Sequence, residues 1–189
     1  KDLGIDLLSV SAHKINGPKG VGFLYKKDGV NIPAMLLGGE QEEKRRAGTE
    51  NLAGIWGMAK AAELLTVEER EARSEKYAGF QQMILEELEK QGIDVQVNGD
   101  LENKLPHVLN LRLPGVVNDL LLMKLDLNGI AISTGSACTA GNIEPSHVLE
   151  AMYGKDTPIL KESIRISFGY GNTKEDIQKF IQQLVGAIK

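Results

Sequence analysis

Residues 163–168 read Ser-Ile-Arg-Ile-Ser-Phe, with polar and apolar residues alternating one for one. On a strand this period sends Ile164, Ile166 and Phe168 to one face and Ser163, Arg165 and Ser167 to the other. An apolar sheet face needs a cover. Residues 173–188 supply one, an amphipathic helical period opened by Thr173 and Asp176 at the spacing of a capping box. The rest of the chain repeats these ingredients. Residues 6–13, 21–25, 107–113 and 129–133 read as short strands. A helical period runs from Glu50 to about Gln91, through Ala59, Ala61, Ala62, Leu64 and Leu65 and then Phe80, Ile84, Leu85 and Leu88. Residues 66–69 either continue that helix or break it with a cap of their own. Residues 117–127 and 145–153 read as helices, with Asn118 near the start of the first and Pro145 in the first turn of the second. Strands mixed with helices place the chain in the α/β or α+β class, with a domain change inside the long helical stretch.

Bulk properties narrow the function classes. The 189 residues are 42% hydrophobic and 25% charged, enough for a core and typical of a globular protein. A formal charge of −4 gives no reason to expect nucleic acid or an anionic membrane as partner. No apolar run is long enough to span a bilayer and nothing at the start resembles a signal peptide, so the expected location is the cytoplasm. Cys138 is the single cysteine, which excludes an internal disulfide and leaves a thiol. The chain opens Lys1-Asp-Leu-Gly4 and reaches a strand-like segment almost at once, as a piece of a longer chain would.

Several residues are candidates for chemistry, each with a bland alternative. Ser11-Ala-His-Lys14 puts a hydroxyl, an imidazole and an amine where a strand meets a turn rich in Gly and Pro. On a strand Ser11 and His13 share a face and can address one anion, while Lys14 enters the turn. A desolvated amine there is a Schiff-base nucleophile; a lone lysine is otherwise a solvated charge. Cys138 lies among Ser, Thr, Gly and Ala, a composition suited to an exposed loop that brings a thiolate to a substrate. The competing reading is a small buried hydrophobe. Arg165, beside two serines, is a fork for a carboxylate or an edge arginine in solvent. Arg45-Arg46-Ala-Gly-Thr49 is a phosphate-holding loop or a solvated basic one. His147 is read as a partly buried or surface residue. His13, His107 and Cys138 lack metal-ligand spacing, so no metal site is expected.

Four segments in order, SAHKINGPKGVGFLY, GGEQEEKRRAGTEN, GIAISTGSACTAGNIEPSHVL and SIRISFG, resemble the cysteine desulfurases of the NifS/IscS type, pyridoxal 5'-phosphate (PLP) enzymes of the class V aminotransferase family. The resemblance covers nearly the whole chain. It implies a fold-type I PLP-transferase: residues 1–65 as the end of the large cofactor domain and residues 66–189 as the small C-terminal domain with the cysteine loop. Lys14 matches the lysine that carries PLP and moves protons. Ser11 and His13 match residues that bind its phosphate, and Thr49 matches a threonine reaching the phosphate in a partner subunit, which implies a homodimer. Arg165 matches the arginine that takes the α-carboxylate of L-cysteine. Cys138 matches the nucleophile that accepts sulfur as a persulfide, leaving alanine. Its small-residue loop is like that of the subgroup that delivers sulfur to acceptor proteins in iron–sulfur cluster assembly or tRNA thiolation.

Two departures accompany the likeness. Glu40 stands where the family has a third glycine before Gln41-Glu42. The family's N-terminal half, with a further phosphate-binding turn, a histidine stacked on the ring and an aspartate on the pyridine nitrogen, has no counterpart upstream of Lys14. The resemblance thus covers the C-terminal half of such an enzyme. Two expectations follow: the residues belong to a desulfurase whose full chain performs the reaction, or this chain alone is a non-catalytic domain that bears a thiol or binds partners. A PLP lyase acting on another amino acid is a third reading, one that needs Cys138 less.

Overall fold

The computed structural model describes residues 3–100, 102–135 and 145–189. They form two compact units, Lys1–Arg70 and Glu71–Lys189.

The first unit is built on an antiparallel pair. β1 (Leu7–Ser11) runs against β2 (Gly22–Lys26), with Leu7 opposite Lys26 and Ser11 opposite Gly22. A one-turn 3-10 helix, Ala12–Ile15, follows β1 directly. Next comes α1 (Gln41–Lys44), then α2 (Leu52–Leu64), capped by Asn51, whose side chain accepts from the Gly54 N–H at 3.0 Å. Little of this unit is buried: Ala12, Gly54 and Met58 are, whereas Phe23, Leu24, Met35 and Trp56 are exposed. Trp56 retains 74% of its accessible surface.

α3 (Val67–Lys90) carries the chain into the second unit. Its start is a break from α2, because the Thr66 hydroxyl accepts from the Glu69 N–H at 3.2 Å and opens a new helix. The sheet here has three antiparallel strands in the order β3 (Gln96–Val97), β4 (Val108–Arg112) and β5 (Ser163–Ser167). Between β4 and β5 the chain forms α4 (Asn118–Leu127), α5 (His147–Tyr153) and α6 (Ile159–Glu162). α7 (Lys174–Ile188) closes the unit. The core is the apolar sheet face, Leu109, Leu111, Ile164, Ile166 and Phe168, together with Phe80, Ile84 and Leu88 of α3 and Ile177, Phe180, Ile181 and Leu184 of α7. Fully burying each such side chain contributes about 1.5–3 kcal/mol. Phe80 and Phe168 meet edge to face, centroids 5.6 Å apart.

Several local expectations change. The β1 strand ends at Ser11, so His13 sits on the 3-10 turn and shares no strand face with Ser11. Asn118 does open α4, as its place in the sequence suggests, but its side chain serves elsewhere. Its amide is buried and donates to the carbonyls of Leu160 (3.1 Å) and Ser163 (2.9 Å), tying α4 to the start of β5. Ser146, not Pro145, opens α5, its hydroxyl accepting from the Leu149 N–H. Of residues 129–133 only Ser133 makes a bridge, with Arg165.

Candidate active site

Lys14 is positioned by a tight turn. Ala12, fully buried, donates its N–H to Val21 O at 3.0 Å, and its carbonyl accepts from the N–H groups of Asn16 and Gly17. Asn16 takes the left-handed conformation (φ 63°), which its short polar side chain tolerates and which turns the chain back toward β2. Gly22 is required opposite Ser11, because a Cβ there would collide with the Val10 carbonyl. Gly57 lets α2 lie against the turn: a Cβ would stand 2.7 Å from Pro18 Cγ. On this braced turn Ser11, His13 and Lys14 are all exposed. The Ser11 hydroxyl makes no cap bond, and Lys14 pairs with no carboxylate among the described residues. An uncommitted amine beside a hydroxyl and an imidazole is a donor set that fits a phosphorylated aldehyde such as PLP.

Thr49 lies in a second feature of the same unit. The segment from Leu36 to Thr49 is pinched by a bond from Ala47 N–H to Leu36 O (3.2 Å) and by Gly48 N–H donating to Gln41 Oε1 (3.2 Å). Within it Glu42, Glu43 and Lys44 have φ of 50°, 55° and 64°, so the α1 turn winds left-handed. Left-handed backbone costs roughly 1–2 kcal/mol per non-glycine residue. Strain of this kind gathers at functional sites. Arg45 is engaged by Glu43 at 2.8 Å and Arg46 donates to Ala47 O at 2.8 Å. Thr49 is exposed two residues before the α2 cap, and no hydrogen bond joins it to Ser11, His13 or Lys14.

Arg165 lies in the second unit, inside the sheet rather than at an edge in solvent. On one side it faces Asn110 of β4. On the other its backbone exchanges two bonds with Ser133, Arg165 N–H to Ser133 O at 2.6 Å and Ser133 N–H to Arg165 O at 3.1 Å. Its side chain is on the face opposite the core, with Ser163 and Ser167. The Nε of Arg165 is buried and has no hydrogen-bond partner among the described residues. A buried cationic donor without an acceptor is costly, on the order of 1–3 kcal/mol or more, and this one fits the carboxylate that a forked guanidinium binds best. Ser133 also roots the segment that leads to Cys138. Its hydroxyl donates to Gly135 O at 3.0 Å, and the Thr134 hydroxyl donates to Asp119 Oδ1 at 3.5 Å.

Cys138 falls outside the described residues. His107 and His147 are exposed, and the described residues contain no group of three or more His, Cys, Asp or Glu able to hold a metal ion. No helix among them is long and apolar enough to cross a membrane. Sequence reasoning missed Asn98, Asn110 and Ser133. The available signal was Asn110 itself, an amide placed mid-strand in a run that is otherwise good strand former.

Known proteins share this chain's sequence and fold. The family described as Aminotransferase class-V matches residues 1–180. The putative cysteine desulfurase IscS 1 of Bacillus subtilis (strain 168) is 52% identical over 189 residues, covering 100% of this chain and 50% of that protein. Among solved structures, a NifS-like protein from Rickettsia africae superposes with a TM-score of 0.83 at 32% identity, over 98% of this chain and 48% of that one. A structure titled SspA in complex with cysteine gives 0.66 at 31% identity, over 88% of this chain and 45% of its own length. The chain spans about half the length of the curated relatives it matches.

Proposed function

Since the chain belongs to the class V aminotransferase family, we propose that it carries half of the machinery of a PLP-dependent cysteine desulfurase. The fold is the α/β fold of the NifS-like, fold-type I enzymes. In this reading residues 1–65 end the cofactor domain and residues 66–189 form the small domain. The single observation that carries the proposal is the Arg165 Nε, a buried donor on a fixed strand with no acceptor among the described residues.

Each role follows from the chemistry of a side chain. Lys14 holds PLP through its amine and shuttles the proton at the substrate's Cα. Ser11 and His13 donate to the phosphate, and Thr49 does so toward a second copy, which makes the working form a homodimer. Arg165 orients L-cysteine by its α-carboxylate. The Cys138 thiolate attacks the substrate sulfur: an S–S bond forms, the substrate's Cβ–S bond breaks with its electron pair left on carbon, and protonation there gives L-alanine. The resulting persulfide passes to an acceptor protein of cytoplasmic iron–sulfur assembly or tRNA thiolation. PLP, when bound, supplies the electron sink for these steps.

A second reading is favoured by the exposed apolar residues of the first unit. In it the chain alone is a thiol-bearing or partner-binding domain without catalysis. The visible absorption of the chain mixed with PLP, followed by borohydride reduction and peptide mapping, separates the two. A pyridoxal label confined to Lys14 supports the first reading, and Cys138→Ala should then abolish sulfur release from L-cysteine while leaving the label in place. Label scattered over surface lysines means the isolated chain is not an enzyme.

A further inference from the structure

The registers of the second unit's sheet align four polar residues in a single row. Asn98 N–H donates to Asn110 O at 2.9 Å, Asn110 is the register partner of Arg165, and Arg165 exchanges both backbone bonds with Ser133. The bonds from Leu113 N–H to Glu162 O and from Phe168 N–H to His107 O set the alternation along β4 and β5. They make Asn110 and Arg165 a non-hydrogen-bonded pair, the kind in which side chains approach most closely, with Cβ atoms about 4.5–5.5 Å apart. Directly opposed residues share a face, so both side chains stand on the polar face, away from Leu109, Leu111, Ile164 and Ile166.

The amide of Asn110 has a fixed sense. Asn98 Nδ2 donates to Asn110 Oδ1 at 2.7 Å and to Ser163 Oγ at 2.9 Å. The oxygen end of Asn110 is therefore engaged by Asn98, which leaves Nδ2 as the uncommitted end of an amide that stands directly opposite Arg165. Asn110 Nδ2 makes no hydrogen bond to a described residue, and Arg165 Nε is buried with no partner among them either. A buried donor without an acceptor, with an uncommitted amide donor opposite it across the ladder, points to an acceptor-only ligand that both can meet. A carboxylate has two oxygens to meet both.

We propose that Asn110 is a second binding residue for the substrate's α-carboxylate, beside Arg165, and that Asn98 is the positioning residue that turns its amide toward that anion. The proposal rests on the reading of Arg165 given above. It adds a requirement for a planar, two-oxygen anion, which a lone guanidinium does not impose.

The test is a 1H–15N NMR titration of the chain with L-alanine, following the Arg165 Nε–H and Asn110 Nδ2–H2 signals, with L-alaninamide as the ligand that lacks the carboxylate. Both signals should move with L-alanine and neither with the amide. Asn110→Ala should weaken L-alanine binding about tenfold, one neutral donor to a charged acceptor. Asn98→Ala should weaken it less, while the Asn110 amide signals broaden or shift before ligand is added. If Arg165 responds and Asn110 does not, Asn110 is only a structural residue and the proposal fails while the Arg165 reading stands. If neither responds, the assignment of Arg165 fails as well.

Discussion

Glu162 shows how a single side chain ties the second unit together. The N–H of Gly115 donates to its Oε1 at 3.0 Å, and Arg112 donates through Nε to Oε2 at 2.8 Å, with its second nitrogen also 2.8 Å away. The Gly115 N–H first, and the Arg112 guanidinium after it, hold the Glu162 carboxyl below its usual range. A carboxylate depressed in the folded state stabilises the fold above the unfolded pKa, near 4.3, and loses that contribution as pH falls through its lower folded pKa. Glu162→Gln should therefore lower stability by about 1 kcal/mol at neutral pH. Urea unfolding should show the gap from wild type closing below about pH 4. Gly57 offers a contest of two effects at one position. Replacing glycine by alanine inside a helix is worth about 1 kcal/mol on propensity alone. A Cβ 2.7 Å from Pro18 Cγ opposes it, since the ring is fixed on the Lys14 turn. Gly57→Ala should not raise the melting temperature, and Lys14 labelling by PLP and borohydride should fall.

At the scale of elements, α7 was legible to its cap: Thr173 and Asp176 form the reciprocal bonds of a capping box, 3.2 and 2.9 Å. Thr173→Ala should cost about 1 kcal/mol, read as a shifted denaturant midpoint at unchanged slope. The alternation of β5 was legible for the same reason, since a period fixed by the backbone writes itself into residue order. α1 was not. Nothing in Glu42-Glu43-Lys44 favours a left-handed turn, and its conformation is set by the bonds that pinch the segment's ends, from Ala47 to Leu36 and from Gly48 to Gln41. The two-residue β3 escaped because Gln96–Val97 is too short to show a period. Asn118 was legible by position, at the start of α4, but not by role, since only the fold brings the Leu160 and Ser163 carbonyls to its amide. Arg165 could be marked as a carboxylate fork from its neighbours in sequence. Its pairing with Asn110 and Ser133 depends on register between strands far apart in the chain.

Across the whole molecule stability is unevenly distributed. The cluster of buried apolar side chains belongs to the second unit, whereas the β1–β2 pair leaves Leu7, Leu8, Phe23, Leu24 and Tyr25 exposed. Amide hydrogen exchange should find β4 and β5 protected to the level of global unfolding and β1 and β2 exchanging much faster; equal protection would contradict this distribution. Ile84→Ala, in the centre of the core, should cost 2–5 kcal/mol on the usual scale for such truncations, and should melt the second unit as one cooperative event. The exposure of Trp56 on α2 has a practical corollary. As the sole indole in the chain, its ultraviolet emission reports on one place, and in this structure that place is wet. Anything that settles over α2, a second copy or a complementary polypeptide, would shift its emission to the blue, giving an optical readout of assembly that needs no attached dye.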